Sequence, residues 1–142
     1  MKKIITIFLA IFFISTSSNS NENEIRLNNL FEKLKIQNHS IAIDAEMKIW
    51  DIWTKHPTNQ NLTSLLSRGT KFMNQEQYSI AVDIFTTVIK KDPAWAEAWN
   101  KRATVFYLMG QYQDSQNDID KVLKIEKRHF GALSGQGLVQ IK

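Results

Sequence analysis

Few side chains in this 142-residue chain are spaced to do chemistry. His39, His56 and His129 lie in three separate segments, with no pair at i, i+4 and no carboxylate at ligand spacing. A zinc site is therefore not expected, and all three read as solvated loop histidines. The run GALSGQG at 131–137 has the look of a glycine-rich phosphate loop but lacks the GK[ST] ending and a preceding strand, so its glycines are expected to serve close helix packing. No serine sits on a glycine elbow between a strand and a helix. Asp118 and Asp120 fall two apart, on different faces of a helix, and read as surface charge. With no cysteine there is no thiol nucleophile, thiolate metal site or disulfide. No catalytic residue, metal or cofactor is expected. Arg68 and Arg102 keep two readings open: a structural ion pair with a nearby acid, or a group in a groove that meets an anionic ligand.

The elements that must position these residues come in two copies. Residues 62–95, LTSLLSRGTKFMNQEQYSIAVDIFTTVIKKDPAW, align without a gap on 96–129, AEAWNKRATVFYLMGQYQDSQNDIDKVLKIEKRH. Leu65 falls on Trp99, Arg68 on Arg102, Gly69 on Ala103, Phe72 on Phe106, Tyr78 on Tyr112, Ala81 on Ser115 and Val88 on Val122. Fixed self-similarity at this period marks a repeat architecture. Within each copy the apolar residues recur at three and four positions, break at Asn74 to Gln77 or at Met109-Gly110-Gln111, and resume. That is helix, turn, helix. Gly110 suits the left-handed conformation that closes a helix. Gly69 or Ala103 facing Ala81 or Ser115 would let the paired helices approach closely. In DPAWAEAW (92–99), Pro93 ends one helix and suits the first turn of the next. Trp99 is expected to pack between paired helices and Trp95 to lie in the linker, together forming the joint between hairpins.

These positions resemble the tetratricopeptide-repeat family, most specifically at Gly69, Phe72, Tyr78, Ala81, Phe85 and Pro93. The second unit departs at its end, with Lys127 where proline is usual. The resemblance implies an all-α fold of antiparallel helical hairpins stacked as a short superhelix, an α-solenoid. Residues 130–142 then form the first helix of a partial third repeat or a terminal helix, with Leu133 and Gly137 at repeat places. Stacked repeats normally end in a polar capping helix, so either this helix serves as its own cap or the chain is a shortened copy of a longer one.

Residues 21–61 lie outside the repeat pattern but carry two helical stripes, Leu27, Leu30, Phe31, Leu34 and Ala42, Ala45, Ile49, Ile52, Trp53, parted by IQNHS. They are expected to form a hairpin and linker that caps the first repeat. Residues 1–20 show Lys2 and Lys3, an apolar run from Ile4 to Ile14 and then small polar residues, the layout of a signal peptide. The run is shorter than the about 20 residues of a spanning helix. Cleavage after Ser20 or near Ser17, no stable membrane anchor and a periplasmic or secreted product are the expectations. Without the two leader lysines, the balance of 18 basic to 14 acidic residues becomes nearly even, which argues against nucleic-acid binding. Short exported repeat proteins of Gram-negative bacteria are similar in their LF-x-x-L and IW-x-x-W helices, here Leu30, Phe31, Leu34 and Ile49, Trp50, Trp53.

The family resemblance implies a concave face built from the first helix of each hairpin. Its outward positions here are Thr63, Leu66, Thr70, Met73 and Asn74, then Glu97, Asn100, Thr104, Tyr107 and Leu108, with Met73, Tyr107 and Leu108 as candidate anchors. The basic set that grips a C-terminal carboxylate in some family members is missing. The leading expectation is a non-enzymatic module that binds a protein or peptide through Met73, Asn74, Asn100, Thr104, Tyr107 and Leu108, with self-association as a further route. The alternative is a small exported enzyme or ligand-binding accessory of the cell envelope that uses Arg68 and Arg102.

Overall fold

The computed structural model describes residues 21–142. The expected leader over 1–20 lies outside the described residues. Among those residues all regular structure is helical: α1 over 21–34, α2 His39–Thr54, α3 Gln60–Asn74, α4 Tyr78–Lys91, α5 Ala96–Leu108, α6 Tyr112–Ile125 and α7 Phe130–Gln140. The described residues divide into two compact units, the first ending at Asn59 and the second spanning Gln60–Lys142.

In the first unit, Asn38 starts α2 by accepting the Ile41 N–H at 3.2 Å, a side-chain cap that satisfies one orphan donor of the first turn. Leu27 and Leu30 of α1 and Ala45, Ile49 and Trp53 of α2 are buried, as the two stripes require. The rings of Phe31 and Trp53 meet at 6.1 Å, and Trp50 stands edge-on to Trp53 at 5.5 Å.

The second unit is built from the repeats. The pairs are α3 with α4 and α5 with α6, α4 packs on α5 and α6 on α7, and α3, α5 and α7 touch in succession. Each turn inside a pair places one residue in the left-handed region, Glu76 (φ 58°) and, at the matching position, Gly110 (φ 74°). Gly110 meets the expectation. Glu76 takes the same backbone with a Cβ, a conformation uncommon outside glycine.

One core cluster joins α3 and α4 to the start of α5 through Leu62, Leu66, Ala81, Phe85, Val88, Trp95 and Ala98. A second joins α5 and α6 to α7 through Ala96, Ala103, Ile119, Val122 and Ala132. Trp99 packs against both, which makes it the joint between hairpins, and its Nε1–H donates to Pro93 O at 2.9 Å. Trp95 is more deeply buried than a linker position implies, inside the first cluster. Burying such a side chain contributes about 1.5–3 kcal/mol.

Gly69 is packed too closely for a side chain: a Cβ there would lie 2.5 Å from Phe85 Cε1. In the second pair the matching residue, Ala103, offers its carbonyl to Ser115 Oγ at 2.9 Å. Within α7 the close contact falls on Gly135, whose Cβ would meet Ile119 Cδ1 at 3.3 Å, whereas a Cβ on Gly137 would meet nothing within 4 Å.

The loss of proline at Lys127 does not blur the entry to α7. Asp92 turns the chain into α5 by accepting the Ala94 N–H on Oδ1 at 2.9 Å. Glu126, one repeat later, accepts the Arg128 N–H on Oε1 at 2.9 Å. The carboxylate rather than the proline carries the turn.

Candidate functional site

A cleft of about 140 Å³ lies between α5 and α7, with α6 beneath it. Asn100, Thr104 and Tyr107 line it from α5, Gly131, Ser134, Gly135 and Leu138 from α7, and Ala103, Ser115 and Ile119 form the rest. Glycines at 131 and 135 leave room where side chains would otherwise close the gap between the helices. The walls are mostly apolar, and Tyr107 is the one titratable residue among them. Tyr107 is held by a tilted contact with Tyr112, 5.5 Å between ring centres. The Thr104 hydroxyl donates to Asn100 O at 3.0 Å.

Three of the six residues expected on the concave face thus come together. The other three do not join them at this cleft. Met73 is half-buried against the first cluster, while Asn74 and Leu108 are exposed. Two further positions that the resemblance placed outward, Leu66 and Glu97, are buried.

Arg102 is a structural residue. Its Nε and an Nη donate to the two carboxylate oxygens of Asp118 at 2.7 and 2.8 Å, and a second Nη donates to Thr86 Oγ1 at 2.9 Å. The guanidinium lies over the rings of Trp99 and Phe106, at 5.1 and 5.5 Å. A planar fork used bidentately on a buried carboxylate and stacked on aromatics is the geometry of a structural ion pair. Asp118, expected as surface charge, is 4% exposed; Asp120 is exposed and accepts from Gln116. Arg68 does not repeat the arrangement, because Ile84 stands where the second unit has Asp118. It is exposed, with its guanidinium 6.0 Å from the Phe72 ring centre.

His129 corrects a second expectation. His39 is exposed at the head of α2, and His56 accepts from the Thr58 and Asn59 N–H groups, but His129 is fully buried. Its Nδ1 accepts the Ala132 N–H at 3.2 Å and caps α7, and its Nε2 lies 3.0 Å from Glu97 Oε2. The same Oε2 accepts from Asn100 Nδ2 at 3.0 Å. Lys101 Nζ stands 3.2 Å from Oε1 as an ion pair, without the alignment of a hydrogen bond. The signal for His129 was in the repeat register, which sets it on Trp95, itself a buried position.

Glu126 is the neighbouring acid. Burial pushes its carboxyl up, but the side-chain and backbone hydrogen bonds from Arg128 and its charge, with His129 adding, outweigh that and hold it below the ordinary 4.5.

No family model matches the sequence. A TPR repeat-containing protein of Rhizobium etli is 34% identical over 119 residues, which cover 80% of this chain and 56% of that protein. The chain belongs to the tetratricopeptide-repeat family. A DnaJ protein P58IPK homolog of Arabidopsis thaliana is 36% identical over 62 residues, 44% of this chain and 13% of that protein. The chain spans about half the length of the first of these curated relatives and a small part of the second. Repeats of this family serve generally as protein-interaction modules and are generally not enzymes.

Proposed function

We propose that this tetratricopeptide-repeat protein is a non-enzymatic interaction module that holds a protein or peptide segment on the face formed by α5 and α7. The observation that carries it is the cleft, where an open, mostly apolar trough meets an asparagine, a threonine and a tyrosine from one helix face. A trough of that composition buries apolar side chains and fixes orientation with a few polar groups. The leader pattern of residues 1–20 supports export, so the partner belongs to the periplasm or the exterior. The alternative of an anion site on Arg68 and Arg102 loses its support, since Arg102 is spent on Asp118 and Thr86.

The test is selection from a random peptide library on the immobilised protein, followed by affinity measurements with Tyr107→Ala, Thr104→Arg and Met73→Ala. Arginine at 104 fills the cleft and is expected to abolish binding, and Tyr107→Ala to weaken it about tenfold or more, as for an aromatic anchor. Met73→Ala, away from the cleft, reports whether the α3 face contributes. Selected peptides that bind all three variants as they bind wild type would rule the concave face out.

A further inference from the structure

The turns inside the two helix pairs share one backbone form and differ in surface. Each places a single residue in the left-handed region, Glu76 in the first and Gly110 in the second. Around that residue the first turn carries Asn74, Gln75 and Gln77, and the second carries Leu108, Met109 and Gln111. Since the polar version makes the same turn, the fold does not require leucine and methionine there. Leu108 and Met109 are nevertheless 49% and 38% exposed, and Tyr112 at the start of α6 is exposed too. Helix α6 returns the chain between α5 and α7, so α5 and α7 run in the same direction and end on the same side of the second unit. Tyr107 and Leu138, near those two ends, line one cleft. Leu138 and Ile141 are also exposed, Ile141 at 77%. Five exposed apolar side chains therefore gather at one end of the unit. No charged residue occurs at 103–113 or 130–141, and Lys90, Lys91, Lys124 and Lys127 lie toward the opposite end.

We propose that this end of the second unit is a contact with an uncharged lipid surface, with Leu108, Met109 and Ile141 entering the acyl boundary and Tyr112 at headgroup level. Lipid offers no partner to a free backbone N–H, so a turn enters it at low cost only when its donors are satisfied from within. Here the N–H of Met109 donates to Val105 O at 3.0 Å, that of Gly110 to Tyr107 O at 3.0 Å and that of Gln111 to Phe106 O at 2.8 Å. Tyrosine, with an apolar ring and a polar tip, suits the boundary between acyl chains and water. A partner protein fits less well, because five side chains at a turn and a helix end fall short of the roughly 20–30 residues a side of a stable interface. With no lysine or arginine in either segment, the attraction comes from apolar burial rather than from anionic headgroups. The contact is weak and reversible, of the order that a single acyl chain gives. It is separate from the peptide cleft, which Leu108, Met109 and Ile141 do not line.

The test measures co-sedimentation with phosphatidylcholine vesicles. It uses residues 21–142, which carry every helix described above, so that the apolar run from Ile4 to Ile14 adds no affinity of its own. Wild type is expected to bind, equally at low and high salt and equally when phosphatidylglycerol is added to the vesicles. Leu108→Asn with Met109→Gln, which writes the turn of the first repeat into the second, is expected to weaken binding about tenfold or more. Ile141→Gln should weaken it in the same direction. Ile125→Gln removes a side chain of similar exposure from the opposite end and should leave binding as it is. Circular dichroism confirms that each variant is folded. In wild type, nitroxide-labelled lipid should broaden the Met109 methyl signal before those of Ile125. No vesicle binding, binding that the turn variant leaves unchanged, or binding that needs phosphatidylglycerol and fades with salt overturns the proposal. Absence of vesicle binding together with a dimer that the turn variant dissolves, seen by sedimentation velocity, would overturn it and assign the patch to a second copy of the chain.

Discussion

Gly69→Ala tests the close contact on which the first hairpin is built. By helix propensity alone, alanine inside α3 should stabilise by about 1 kcal/mol. The structure opposes this: the new methyl would lie 2.5, 2.9 and 3.0 Å from Cε1, Cδ1 and Cζ of Phe85. Phe85 is fully buried in the first cluster, so the ring has no solvent side to swing into. Inserting a methyl into such packing costs about 1–3 kcal/mol, and contact with three ring atoms places this case near the upper end. The net expectation is a loss of about 1–2 kcal/mol, with the propensity gain already subtracted. Gly137→Ala is the matched control, since its methyl meets nothing within 4 Å in the exposed part of α7, and it should gain about 0.5–1 kcal/mol. Urea unfolding followed by circular dichroism at the helix band gives both numbers. Phe85→Leu should cost less in the Gly69→Ala background than in wild type, because the shorter side chain relieves the overlap. Equal stabilisation by the two glycine replacements would refute the α3–α4 approach and, with it, the reason for a small residue at that repeat position.

The remaining predictions concern the charged pairs. Asp118→Ala should lower stability by about 3–5 kcal/mol, since Arg102 would keep a partly buried charge without a partner, while Arg102→Met with Asp118→Leu should recover most of that loss in the same unfolding assay. Glu126, whose carboxyl is held below 4.5, contributes stability that is present above its unfolded value and is lost as pH falls through the lower folded one. Arg128→Gln should therefore be less stable than wild type near neutrality, with the gap closing as pH drops below about 4.5, measured by thermal melts across that range; a gap constant with pH would contradict the assignment.

How much of this was legible in the sequence differs residue by residue. The helix pairs, their turns and the left-handed Gly110 follow from local spacing, because apolar periodicity and turn chemistry act over a few residues. Trp99 as the joint followed too, since the repeat places it. The acid opposite Arg102 did not, because Asp118 is sixteen residues away on another helix and only the packing of α5 on α6 brings the fork and carboxylate together. A comparison of the two copies held the hint: an aspartate in the register of a buried isoleucine, Ile84, needs a partner.

By itself the sequence determined the helical repeat, its period and the family, since each is written in side-chain size and spacing along the chain. The tertiary structure alone decided that Glu97 and His129, 32 residues apart, share one hydrogen bond, that Arg102 serves the fold, and that Asn100, Thr104 and Tyr107 rather than Met73, Asn74 and Leu108 meet α7 across a cleft. The reason is physical: whether a polar side chain is solvated, paired or aimed at a ligand depends on which neighbours remove its water, and those neighbours come from helices that only stacking brings together.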